Sequence, residues 1–520
     1  MEEQIIFGAN ILDSLTTGMY KNPFVCYREY IQNACDSIDK AVEQEIISNK
    51  NEGLVEIWID QSAKSIEIKD NGTGISKDDF QRILVNVASS DKTLGEDKGF
   101  RGIGRLCGMA FCDKLVFSTK CKGENIISTM SCDAKRMREL LNKHQTKEKK
   151  YSATEILKEI YSFSSEKTEN TESHFFVVKL ENIDKHNNGL LNIIKVKEYL
   201  SFVAPVPYQN TFRFREEIYK QAKEIGYPID EYIVKINGED VYKKYITHLT
   251  NGEKKYDEVK DIAFKGFYSD DKSLIAWSWI GVCQFKQAIP KSNKMRGIRL
   301  RKENIQIGDE NALEKLFKED RGNNYFIGEV FTIDKNLIPN SQRDYFNTNS
   351  SSEKFEVELK KYFDDELYRT YYNASSINSS YKKIEIYNIK KKEFDKKKKE
   401  NSFVGNAEKN KLESELAEIR ANAEKAETDI RKKIESLEED SLQGKVANII
   451  RTHRDANIVE KSVGETNEDN KNKKAWWTDR LKRCSKVERK IIGKILDIIA
   501  INVDAEANQR ILAMIEKEFS

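Results

Sequence analysis

Arg28 to Lys40 reads REYIQNACDSIDK, and the fold turns on how this stretch is read. Taken as a helix, it sets Glu29, Asn33 and Asp36 at spacings of four and three along one polar stripe. Ile31, Ala34, Ile38 and Ala41 form the opposite, apolar stripe. A carboxylate can take a proton from water, and an amide oxygen can hold a hard metal ion. A Glu and an Asn one turn apart on a core helix therefore point to shared chemistry. The alternative is an ordinary amphipathic helix whose polar residues are simply solvated.

Downstream, LVEIWID (54–60) and SIEIKD (65–70) alternate apolar and polar residues as half-buried strands do. Gln61 to Lys64 is short enough to make them a hairpin. The second strand runs into Asp70-Asn71-Gly72-Thr73-Gly74, where glycines permit positive φ and close backbone approach. An aspartate there can accept from an exocyclic amine such as that of adenine. A third stretch, Gly99-Phe100-Arg101-Gly102-Ile103-Gly104, precedes the helical RLCGMAF. Its GxxGxG spacing is neither the dinucleotide GxGxxG nor a P-loop, yet glycine-rich backbone before a helix start suits phosphate. The polar SSDKTLGEDK (89–98) before it reads as a lid.

The three motifs REYIQNACDSIDK, IKDNGTGI and KGFRGIGRLCGMAFCDKLVFSTK, in this order, resemble the ATPase superfamily of gyrase, heat-shock chaperones, histidine kinases and MutL (GHKL, the Bergerat fold). The heat-shock chaperone and microrchidia-like branch is the most similar. The resemblance covers about residues 1–195 and implies ATP and magnesium as cofactors. It implies Glu29 as the base that activates water, Asn33 as the magnesium ligand and Asp70 as the partner of the adenine amine. Gly74 would shape the adenine pocket, and Asp36 and Gly72 fall in the same ATP-binding set. Gly99, Gly102 and Gly104 would cradle the phosphates, with Lys98, Phe100, Arg101 and Ile103 in the same loop. Many relatives add a Gly-Thr hydroxyl before a late strand; here Glu172-Ser173 precedes HFFVVKL (174–180), so Ser173 is the expected donor.

The fold class implied is α+β. A Bergerat α/β sandwich (1–195), with helices on a mixed, mainly antiparallel sheet, is followed by a transducer-like α/β domain (196–372). A coiled-coil or helical arm (373–463) and a linker with a small helical module (464–520) complete the chain. In the second domain, EYIVKINGEDVYKKY, GIRLRKENIQIGD and YFIGEVFTID read as strands, and LIPNSQRDYF as a polar loop. In chaperone-like relatives a basic residue reaches from such a loop to the γ-phosphate, which makes Arg343 the candidate, in a catalytic role; a surface pair with Asp344 is the alternative. Residues 381–400 hold nine lysines against four acids, a solvated face or a nucleic-acid contact. Leu412, Leu416, Ile419, Ala423, Ala426 and Ile430 follow a 4-3-4-3-4 spacing, which Ile434 and Leu437 continue with a stutter. Ser485 and Glu488 fit a capping box that opens the last helical pair, whose apolar faces call for a partner surface.

The chain has 520 residues and a formal charge of +2, so the whole-chain charge suggests neither nucleic acid nor membrane. Its eight cysteines show no CxxC pair and there are five histidines, which argues against zinc and for buried thiols in a reducing compartment. The acidic start MEEQIIFGANILDSL is unlike a signal peptide, and IIGKILDIIAI (491–501) is too short to span a bilayer. A soluble cytoplasmic homodimer is expected. The function expected is an ATP-dependent clamp that closes by amino-terminal dimerisation. Its client would be DNA, in a bacterial microrchidia-like role compatible with defence against phage. The alternatives are a chaperone-like ATPase for protein clients and a non-catalytic nucleotide-binding adaptor. A histidine kinase fits less well, because only 28 residues precede Glu29.

Overall fold

The hairpin after the first long helix forms where the alternation places it. β1 (Leu54–Asp60) and β2 (Ser65–Asp70) are antiparallel, with Ile57 opposite Ile68. Val55, Ile57 and Ile59 are buried, while Trp58 between them is half exposed. The computed structural model describes residues 7–16, 18, 19, 22–86, 104–400, 402–439, 441–463, 477–503 and 505–519. Further strands are β3 (Cys112–Lys120), β4 (Ile126–Asp133), β5 (Tyr161–Lys167), β6 (Phe175–Ile183), β7 (Ile233–Ile236) and β8 (Glu239–Asp240). They make one sheet in the order β5-β4-β3-β6-β2-β1-β7-β8. A row of buried side chains, Ile57, Ile68, Val178, Phe117 and Met130, crosses five of these strands in register. Helix Val25–Glu43 joins the same core through Ile31, Ala34, Ile38 and Ala41, the predicted apolar stripe. Each large side chain in this row stabilises the fold by about 1.5–3 kcal/mol through burial.

Pairing in this sheet is antiparallel except at β1 and β7, which run parallel with Ile57 opposite Ile236. The boundary expected at residue 195 therefore does not end the first sheet. The chain leaves through helix Ile193–Val203, turns through helix Arg215–Glu224 and returns to cover the β1 edge. A strand edge left open must be paired or protected, and β7 does this.

Beyond it, β9 (His248–Asn251) and β10 (Lys254–Glu258) form a hairpin. β11 (Asp261–Tyr268), β12 (Leu274–Val282), β13 (Gly297–Lys302), β14 (Ile305–Ile307) and β15 (Ile327–Thr332) build a second sheet in the order β11-β12-β15-β13-β14. Its centre encloses an ionic cluster. Arg301 pairs with Glu329 and donates to the carbonyls of Asn304 (2.9 Å) and Phe202 (2.8 Å). Glu329 also accepts from Tyr208 and from Trp279 Nε1 (3.1 Å), and Lys243 Nζ donates to Asn304 Oδ1 (2.6 Å). All of these charges are fully buried, so their hydrogen bonds must be complete for the sheet to tolerate them.

The chain divides into two compact units, Met1–Gly281 with Ala288–Asp365 and Val282–Gln287 with Glu366–Ser520. In the second, helix Arg369–Lys399 packs against helices Asn406–Glu435 and Leu442–Val463. Of the heptad seam, Ala423, Ala426 and Ile430 are buried and the remaining positions half-buried. The arm is thus a helical hairpin closed within one chain. Asn378 donates to the Gln284 carbonyl (2.8 Å), which anchors its root. Helices Lys486–Asn502 and Ala505–Phe519 follow, the first opened by the expected Ser485–Glu488 capping box. Leu481, Cys484 and Leu496 share a small core with Val404. The molecule is α+β, with mixed, mainly antiparallel sheets and a long helical carboxyl-terminal region. No described helix is long and apolar enough to cross a membrane.

Candidate nucleotide site

Helix Val25–Glu43 carries the polar stripe. Glu29 and Asn33 are partly exposed and Asp36 is buried. The turn after β2 closes against this helix. A Cβ on Gly72 would fall 2.1 Å from the Ser37 hydroxyl, and the Thr73 N–H donates to the Ser37 carbonyl (3.3 Å). Asp70 is buried and accepts from the Gly72 N–H (2.9 Å), which fixes its carboxylate at the head of the turn. Asn71 pins the turn from below, accepting from the Leu54 N–H (2.7 Å) and donating to the Glu52 carbonyl (2.8 Å). Gly74 has φ +69°, and a Cβ there would fall 2.1 Å from the Lys120 carbonyl oxygen. Only glycine meets both demands.

Gly104 meets the polar stripe at Glu29. A Cβ on it would lie 2.5 Å from Glu29 Oε2, so its backbone touches the proposed base. Tyr30 locks the following turn, donating to the Arg105 carbonyl (3.1 Å) and accepting from the Gly108 N–H (2.9 Å). Burial pushes the Tyr30 phenol well above its ordinary pKa, so it stays a donor. Arg105 also donates to the Asn86 carbonyl, tying the two ends of segment 87–103 together. Lys98, Gly99, Phe100, Arg101, Gly102 and Ile103, and the stretch read as a lid, lie outside the described residues.

Loop 337–346, in the same compact unit, brings Arg343 near enough for the Glu29 charge to act on it. Its φ is +54°, a left-handed backbone that is costly for arginine. The Gly308 N–H donates to its carbonyl (2.8 Å), and a bridge between Pro339 and Phe346 closes the loop. Burial lowers the Arg343 guanidinium from its ordinary pKa, and the nearby Glu29 carboxylate opposes that shift. Asp344, the alternative partner, instead accepts from Asn340 Nδ2 (2.5 Å). Arg28 completes the group: its Nη2 pairs with Glu29 Oε1 at 3.0 Å and donates to the Gln342 carbonyl (3.3 Å). Glu29 is thus paired with Arg28 of its own helix, and its charge acts on the buried Arg343.

Ser173, the expected hydroxyl donor, is held within its own turn. The Ser173 hydroxyl donates to the Asn170 carbonyl (3.4 Å) within its own turn, and its carbonyl accepts from Lys120 Nζ (2.6 Å). The next residue reaches the Asp70 turn instead: His174 Nδ1 lies 2.7 Å from the Gly72 carbonyl. Thr119 supplies the nearby hydroxyl, accepting from the Ile75 N–H and donating to the Phe175 carbonyl, both at 2.9 Å. His174, Thr119 and Arg28 were missed in the sequence. Arg28 opens the motif and His174 adjoins Ser173, so position could have flagged both; only the sheet register reveals Thr119.

Residues 22–166 match the family described as histidine kinase-, DNA gyrase B-, and HSP90-like ATPase. The amino-terminal domain is a GHKL-type ATPase domain. Its curated relatives include the chaperone protein HtpG of Clostridium acetobutylicum, 35% identical over 85 residues, which are 15% of this chain and 14% of that protein. The HtpG proteins of Rickettsia typhi and Mycolicibacterium gilvum are each 29% identical, over 140 and 146 residues, or 24% of this chain and 22% of theirs. The chain thus matches less than a quarter of the length of these chaperones. In this GHKL domain no described cluster of three or more His, Cys, Asp or Glu could hold a metal. The partly exposed Asn33 amide, one turn from Glu29, suits magnesium, which binds through few protein oxygens and keeps phosphate and water ligands.

Proposed function

We propose that this protein binds ATP with magnesium at the GHKL site, hydrolyses it, and works as a conformational clamp. The observation that carries this reading is Glu29: it stands against the Gly104 backbone at the phosphate end, with Arg343 of the second domain brought to the same carboxylate. Asp70 and Gly74 would take the adenine, and Asn33 would hold magnesium. Magnesium held there would supply charge neutralisation for the γ-phosphoryl group. Glu29 would accept the proton of the attacking water. Arg343 would leave Glu29 for the γ-phosphate, so that nucleotide draws the second domain onto the first. A planar guanidinium suits that contact, because it can bind phosphate oxygens in pairs.

The decisive experiment is Glu29→Gln. It should keep ATP binding and lose hydrolysis by roughly 100- to 10,000-fold, as the loss of a general base does. Turnover at the normal rate would end the reading.

ATP would bring two amino-terminal domains together, and DNA is the client we favour, on the exposed lysine run of residues 390–399. The likeness to HtpG chaperones supports protein clients as the second reading. ATPase rates with and without double-stranded DNA separate the two, and a mass measurement with a non-hydrolysable analogue tests the dimer.

A further inference from the structure

A cavity of about 940 Å³ lies behind the site, between the start of helix Val25–Glu43, helix Ile193–Val203 and the second domain. Asn33, Asp36, Asp70, Gly72 and Gly74 do not line it. Arg28 and Arg343 line it as well as adjoining Glu29. Its walls carry seven basic and four acidic side chains. Two of the acids are engaged, Glu198 with Lys294 (2.9 Å) and Asp344 with Asn340. Lys195, Lys291, Arg296 and Arg299 have no carboxylate at ion-pair distance among the described residues.

Arg299 is the telling residue. It is 4% exposed, and its terminal nitrogens donate to neutral acceptors, Gln306 Oε1 (2.8 Å) and the Lys294 carbonyl. Its guanidinium lies 4.2 Å from the centre of the Phe202 ring, and its Nε has no hydrogen-bond partner among the described residues. Its direct partners are neutral, and Glu310 and Glu329 act on it only from beyond ion-pair distance, so the buried guanidinium can still take an anion. Lys195 and Arg296 stand nearer the rim, where they can meet the second charge of a dianion.

We propose that this cavity is a second binding site that takes a phosphate group. The preference for phosphate over carboxylate follows from several cations converging with a guanidinium fork. The group could come from either of two sources, inorganic phosphate leaving the nucleotide site past Arg28 and Arg343, or an organic phosphate ester arriving from outside. The site does not depend on the protein being an ATPase.

The test uses the full chain and calorimetric titration with inorganic phosphate and with ribose 5-phosphate. Both are repeated in Lys195→Glu/Arg296→Glu, whose changes lie at the rim and should leave the fold and fluorescent ATP-analogue binding intact. Phosphate affinity should fall about tenfold or more in the variant, the loss of one or two charge-assisted contacts. Arg299→Lys should weaken binding as well, at an unchanged melting temperature in a control scan. Binding of inorganic phosphate alone identifies the departing product as the ligand, and binding of both probes identifies an effector site. The proposal is overturned by unaltered phosphate affinity in the double variant, by no binding of either probe, or by binding that saturating ADP abolishes in the wild type.

Discussion

Gly104 and Glu29 meet so closely that a methyl group between them would displace the carboxylate. Gly104→Ala should therefore bind a fluorescent ATP analogue normally and hydrolyse ATP at least about tenfold more slowly, since misplacement of a catalytic group by about 1 Å can cost 100-fold. An unchanged rate would show that the Glu29 position is not set by this contact. Gly74→Ala should fail earlier, at binding, because its Cβ would collide with the Lys120 carbonyl in a left-handed backbone. Binding of the same analogue at wild-type affinity would remove Gly74 from the adenine pocket. Much of the site was legible at this scale. The spacing of Glu29, Asn33 and Asp36 already placed them on one helix face, because helical periodicity is local. Thr119 was not legible, since it acquires its role from chain more than 50 residues away, at Phe175.

Single elements carry their own vulnerabilities. Burial alone would raise the Glu329 pKa, but Arg301 and Lys243 outweigh it and hold the carboxyl at about 2. A folded pKa below the ordinary 4.5 means stability that is present above pH 4.5 and lost as the pH falls towards about 2. Glu329→Gln should cost about 3–5 kcal/mol at neutral pH, because it leaves Arg301 buried without its carboxylate. It should also flatten the acid limb of a stability curve measured by urea unfolding between pH 4.5 and 2. An acid limb as steep as that of the wild type would exclude Glu329 as its source. In the arm, Ala423 and Ala426 are buried where two helices pack. Ala423→Leu should lower stability by about 1–3 kcal/mol through overpacking, read from the chemical denaturation midpoint. The seam itself was legible from its spacing. That it closes within one chain was not, because heptads do not say which helix answers them.

At the scale of the molecule, the division after Asp365 makes a definite fragment. Residues 1–365 contain every described residue of the nucleotide site and should bind an ATP analogue as the full chain does. A fragment that does not bind would mean that the helical unit is required for the site. The sequence places the nucleotide domain between 1 and 195 and the family match covers 22–166, but the first sheet runs on to strands that neither includes. β7 is short, four residues, and nothing in IVKI names the strand it will join. That pairing has a consequence for the nascent chain. Synthesis runs from the amino terminus, so β1 leaves the ribosome long before Ile233–Ile236 exists. Until then its outer amides and carbonyls have no strand beside them, and the row of apolar residues behind them sits in a sheet with a raw margin. The step that seals it joins distant parts of the chain, and such steps are slow. The nucleotide domain would thus be left unfinished until chain well beyond its motifs has been made.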